Sequence, residues 1–118
     1  MNNKKLGTAF EKKTCEWFAS KGFWVHFIAP DARGAQPFDV IAVKDGRAIA
    51  IDCKTCAANC FNISRLEDNQ IMAFERWLAC GNDMPRIFVE HKGNMYSIPY
   101  DVIKEKVSVK LDEKWQIL

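Results

Sequence analysis

Apolar positions recur along this chain with two periods, about 3.6 and about 2, and the switches between them predict its elements. From Lys4 to Lys21, Leu6, Phe10, Trp17 and Phe18 keep near-helical spacing and Gly22 supplies a stop, which predicts a helix. Phe23 to Ile28 reads as a strand from its aromatic and β-branched residues, and Ala29 to Pro37 as a loop from its Pro, Gly and Asp content. Two apolar runs follow, Phe38 to Val43 and Ala48 to Cys53, flanking Lys44-Asp45-Gly46-Arg47. An Asp-Gly pair in that setting predicts a tight hairpin. Thr55 to Phe61 is irregular. Ser64-Arg65-Leu66-Glu67 then has the form of a capping box, opening a helix that Gly81 closes and that buries Leu66, Ala73, Phe74, Trp77 and Leu78. Arg86 to Glu90 and Met95 to Ile98, around Lys92-Gly93-Asn94, predict a second strand pair, and Pro99 to Lys106 a short helix. The apolar tail, Val107 to Leu118, is expected to pack on the body or on another subunit. Helix, three strands, helix, two strands and short helix make a mixed α/β domain with helices over a central sheet.

The first hairpin carries the chemistry. If Asp45 and Gly46 form the loop, Lys44 pairs with Arg47 and each further pair keeps the same positional sum, so Asp39 falls opposite Asp52. Alternation puts Asp39, Ile41 and Val43 on one face with Ala48, Ala50, Asp52 and Lys54, and Val40, Ala42, Ile49, Ile51 and Cys53 on the other. Both faces are mostly apolar, the mark of a hairpin covered on two sides, where an unpaired charge is costly. Opposed residues have Cβ atoms about 4.5–5.5 Å apart, and like charges there repel unless something cationic lies between them. A divalent cation fits that need, with Lys54 as a further positive charge. The competing reading leaves Asp39 and Lys54 at frayed ends in water; the opposition set by the turn favours a site of convergent polar groups.

Other polar residues read two ways. Glu11 lies beside the apolar stripe of the first helix and either reaches inward or stays solvated among Lys12, Lys13 and Glu16. Gln70 interrupts the stripe of the second long helix, so its amide is either satisfied within the core or bonded to a water or carboxylate at the site. Lys4, Lys5, Lys12 and Lys13 form a basic cluster that meets phosphates or only solubilises a face. Arg33, on the loop before Asp39, is a candidate phosphate contact.

At 118 residues the chain suits one domain with a core that needs no disulfides or structural metal. Its net charge of +2 neither demands nor excludes nucleic acid, so any basic footprint is local. The polar start MNNKKLG and the lack of a long apolar run point to a cytoplasmic protein with no membrane partner. Five cysteines argue for free thiols in that setting. Cys53, Cys56 and Cys60 form C-x-x-C-x-x-x-C, but without a fourth ligand at usual spacing a zinc or iron–sulfur site is the weaker reading.

Several of these residues together resemble the PD-(D/E)xK nuclease superfamily, and more narrowly its Holliday junction resolvases of the archaeal and RecU types. The resemblance runs from Gly7 to about Pro99 and rests on Gly7, Phe10 and Glu11, on Pro37 to Asp39, on Asp52-Cys53-Lys54-Thr55, and on the helix carrying Leu66 and Gln70 with the strands after it. Phe38 separates the proline from the aspartate, Asp52 stands where Glu is commoner, and Asn69-Gln70 stands where RecU-like relatives carry His-Gln. The chain is also shorter than the bacterial resolvases. The resemblance implies a restriction-endonuclease-like core, a central mixed sheet flanked by helices, with residues 1–118 forming one nuclease domain. It implies that Asp39 and Asp52, with Glu11 directly or through water, hold Mg²⁺ or Mn²⁺ together with the backbone carbonyl of Cys53. Lys54 would position the attacking water or stabilise the transition state, with Gln70 and Thr55 in support and Lys4, Lys5 and Arg33 on the DNA. The implied activity is metal-dependent cleavage of branched DNA by a homodimer, since a twofold junction suits a twofold protein. The alternatives are the same chemistry on ends, flaps or specific duplex, a catalytically silent DNA-binding relative, and a thiolate metal protein.

Overall fold

A computed structural model describes residues 3–29 and 36–118, with side chains from residue 9 onward within them. The first helix, α1 (Asn3–Ser20), stops where Gly22 adopts φ +88°. There Gly22 N donates to Ala19 O and Phe23 N to Phe18 O, and the Phe18 and Phe23 rings meet edge to face at 5.1 Å. This is the Schellman ending, with its apolar clasp turning the chain into the sheet.

The strands β1 (Trp24–Phe27), β2 (Val40–Lys44) and β3 (Arg47–Thr55) form an antiparallel meander, closed at Asp45 and Gly46 by left-handed φ values of 53° and 74°. Two such residues give the type I′ turn that suits strand twist and fixes Lys44 against Arg47. The chain then forms β4 (Cys60–Asn62), a short 3₁₀ turn, α2 (Asp68–Ala79), β5 (Arg86–His91), β6 (Asn94–Pro99), α3 (Tyr100–Lys106) and β7 (Ser108–Lys110). The main sheet runs β1-β2-β3-β5-β6, with β3 and β5 parallel and its other pairs antiparallel. It is the mixed α/β architecture the pattern predicts.

Each face buries its own cluster. Phe10 and Phe18 of α1 cover Val40, Ala42, Ile51, Phe88 and Met95, with Phe18 stacked on Phe88 at 5.0 Å. On the other face Phe74, Tyr100 and Ile103 pack with Phe38, Ala50, Ile87, Val89 and Ile98. A strand between two such layers has few places for a charge.

Two expectations need correction. The second long helix starts at Asp68, four residues beyond Ser64, because Ile63 N donates to Val107 O and holds residues 63–65 in a separate 3₁₀ turn capped by Asn62. The capping box is formed instead by Glu67 and Gln70. Thr55 to Phe61 is not wholly irregular, since β4 pairs with β7 in a two-stranded sheet. The apolar tail packs on the body, as expected, and does so through its backbone as well, Met95 N donating to Leu118 O, Ile117 N to Met95 O and Ser97 N to Trp115 O, so it lines the outer edge of β6.

Candidate catalytic site

The site lies near the C-terminal end of β3. Asp52 is 1% exposed on the face covered by α2 and lies in register with Ile87 of β5. Its Oδ1 accepts a hydrogen bond of 2.7 Å from Gln70 Nε2. The other face of that amide is also engaged, Gln70 Oε1 accepting from Glu67 N at 3.0 Å and from Lys54 Nζ at 3.4 Å. The capping bond therefore aims the glutamine, and the glutamine aims the aspartate. Asp52 Oδ2 has Lys54 Nζ at 3.5 Å as an ion-pair partner but no hydrogen bond, an unsatisfied state among the buried side-chain oxygens of the described residues. Such an oxygen marks a place where another group belongs.

Asp39 arrives at the same spot by a different route from simple opposition. The ladder ends at Val40 and Ile51, and Asp39 N donates to Ile51 O at 3.0 Å, so residues 39 and 40 share one partner in the manner of a bulge. The bulge re-aims the side chain, whose Oδ2 accepts from Cys53 N at 2.8 Å. Cys53 itself turns to the α1 side, its thiol donating to Thr14 Oγ1 at 3.5 Å, and Thr14 Oγ1 donates to Phe10 O at 3.0 Å.

Burial pushes the Asp52 carboxyl well above its usual range; Lys54 opposes this and Asp39 adds to it. Glu11, half-buried on α1, is raised from 4.5 to about 7 by burial and then by the Asp39 carboxylate. Its inward reading is thus the one the structure supports. Both shifts have one sign. A carboxyl with a raised native pKa contributes stability that is complete below its unfolded value, near 4, and is lost as pH rises through the native value. Without divalent cations the protein is expected to lose thermal stability between about pH 5 and pH 8, and Glu11→Gln to flatten that decline. Melting curves in chelator across this range check it; a flat wild-type profile contradicts it.

Gln70 offers a second check. Gln70→Ala strands Asp52 Oδ1 and removes a capping bond, so destabilisation of about 1–3 kcal/mol is expected in urea melts. A neutral result would mean the amide is dispensable to the fold.

Asp39, Asp52, Lys54 and Gln70 are therefore brought together, with Glu11 close enough to feel Asp39. Thr55 lies at the strand end, where its carbonyl accepts from Arg65 Nη2 at 2.9 Å. Arg33 and the side chains of Lys4 and Lys5 lie outside the described residues. The thiol motif does not converge: Cys53 points to α1, while the Cys56 thiol donates to the carbonyls of Ala58 and Cys60, both at 3.2 Å. Among the described residues no three His, Cys, Asp or Glu side chains form a metal cage. The pattern alone singles out neither Thr14 nor Glu67, whose parts emerge only once α1 and α2 are docked on β3.

Among the solved structures similar in fold are two nucleases. Hjc of Archaeoglobus fulgidus, a Holliday junction resolvase from an archaeal hyperthermophile, superposes with a TM-score of 0.64 at 18% identity, covering 91% of this chain and 87% of that one. The bacterial homing endonuclease I-Ssp6803I gives 0.59 at 16% identity, covering 96% of this chain and 80% of that one. No curated protein sequence matches the chain. The family model of the archaeal Holliday junction resolvases, Hjc, matches residues 2–117, and the chain belongs to that family.

Proposed function

We propose that the protein is a Mg²⁺- or Mn²⁺-dependent endodeoxyribonuclease that resolves four-way DNA junctions as a cytoplasmic homodimer, residues 1–118 forming one nuclease domain. The observation that carries the reading is the orphaned Asp52 Oδ2, buried beside Asp39 and Lys54 in a chain of a resolvase family.

The donor set suits a hard cation. Mg²⁺ takes oxygen ligands, retains several waters and needs only one or two carboxylates, so the absence of a three-residue cage among the described residues fits it better than zinc. Asp52 and Asp39 would hold the ion, with the Cys53 carbonyl and Glu11, directly or through water, completing its shell. When bound, it supplies charge neutralisation at the phosphate and acidifies the attacking water. The chain's own residues do the rest. Gln70 keeps Asp52 Oδ1 engaged, so the carboxylate offers Oδ2 in a fixed direction. Lys54 Nζ, held between Asp52 and Gln70, puts a positive charge where the phosphate becomes more anionic. Glu11, raised to about 7 by burial and Asp39 when no cation is bound, would be held ionised by the cation, so loading the site would release a proton near neutrality.

The test is cleavage of a labelled four-way junction and of linear duplex of the same sequence, with Mg²⁺, Mn²⁺ or chelator. Symmetric cutting of the junction with either metal, lost in chelator, is expected. Equal cutting of both DNAs removes the junction assignment, and no cutting with any divalent metal removes the nuclease.

A further inference from the structure

Beyond Thr55 the sheet opens into a second feature. A cavity of about 540 Å³ lies past the C-terminal ends of the parallel strands β3 and β5, lined by Thr55, Arg65, Glu90, Lys92 and Gly93 among others. We infer that this basin seats a backbone phosphate of the strand being cut, within about three nucleotides of the scissile one, with Arg65 and Lys92 as positioning residues; the inference rests on the nuclease reading above.

Both cations line the basin, and one of them is held in place. Arg65 Nη2 donates to Thr55 O at 2.9 Å and its guanidinium lies 5.9 Å from the centre of the Phe61 ring, contacts that fix the fork while its residue remains exposed. A guanidinium has five N–H donors, so donors remain for a phosphate. Lys92 and Gly93 form the two-residue tip of the β5–β6 hairpin, with φ values of 49° and 78°, and present an exposed ammonium beside backbone with no side chain. The acidic wall residue, Glu90, is occupied by Lys13 of α1 at 3.2 Å. Its charge at the wall is thereby partly offset.

Spacing fits a nucleic-acid strand. Three residue steps along β3 lead from Asp52 to Thr55, about 10 Å at strand rise, and backbone phosphates climb about 3.4 Å per nucleotide along a duplex. The basin thus lies within about three nucleotides of the bond at Asp52. It would let the enzyme grip the backbone without reading a base.

The experiment is equilibrium binding of a fluorescent four-way junction in chelator across about 50–200 mM salt, by wild type, Arg65→Gln, Lys92→Gln, the double variant and Arg65→Lys. Losing this one phosphate contact should lower the log–log salt slope by about 0.9 per site in the double variant, with each glutamine variant losing part of that and Arg65→Lys retaining its share. In Mg²⁺ the cleavage defect should fall mainly on KM. A structural role for Arg65 would move the melting temperature but not the slope, and melting curves separate the two. A double variant with the wild-type slope overturns the basin while leaving the nuclease intact. Wild type that binds with full slope but cuts with no divalent metal overturns the nuclease reading instead, and the basin, as a seat beside a cut bond, with it.

Discussion

Asp52→Asn is expected to lower junction cleavage by about 10³-fold or more while leaving the fold as stable as the wild type or more so. The two effects have one cause. Asp52 is buried, close to Asp39, and its carboxyl is pushed well above the usual range with Lys54 only partly compensating, so the charged form needed for a cation is the form the fold resists. An amide keeps an acceptor for Gln70 Nε2 and removes the like-charge repulsion with Asp39. The sign follows from linkage: the penalty for ionising Asp52 builds as pH rises from its unfolded pKa toward its raised native one and then levels off, and an asparagine never incurs it. In chelator at about pH 8 the variant should therefore melt no lower than wild type. Trading stability for a functional charge is common at active sites. A variant that fails to fold, or that still cuts at near wild-type rate, contradicts this account of Asp52.

Lys54→Met is expected to lower cleavage by about 10²–10³-fold, with no recovery at higher metal concentration. Methionine preserves most of the apolar stem, so packing changes little, but the ammonium 3.5 Å from Asp52 Oδ2 is gone. Two consequences separate this variant from the first. Its Asp52 loses the positive charge that opposes burial and Asp39, so its carboxyl rises further and the protein loses stability more steeply with pH than wild type. In a double variant with Asp52→Asn the losses should not add, because the residues act on one phosphate as a unit. Additive losses, or rescue of Lys54→Met by excess Mg²⁺, would show that Lys54 serves only metal affinity.

Much of this is legible from residue order, and the reasons are local. The Asp-Gly turn fixes the hairpin register and alternation sorts Asp52 and Lys54 from Cys53, because both rest on neighbours in sequence. Gln70 stands out because an amide interrupts an apolar stripe. What escapes depends on distant segments. The helix start at Asp68 is displaced from Ser64 by a bond from Ile63 to Val107, more than forty residues away, although Ser64 is by local rules the better cap. The bulge at Asp39 is set by Ile51 O and Cys53 N together, which no turn rule supplies. Glu11 is undecidable on its helix alone, since the burial that raises its pKa comes from docking α1 on the sheet.

The most direct measurement is anomalous scattering from crystals of the protein soaked in Mn²⁺ at a pH above 7. A peak about 2.1–2.2 Å from Asp52 Oδ2, within reach of Asp39 and absent in Asp52→Asn crystals, is the expected result. No peak at Asp52, or one seated on Cys56 and Cys60, would contradict the account.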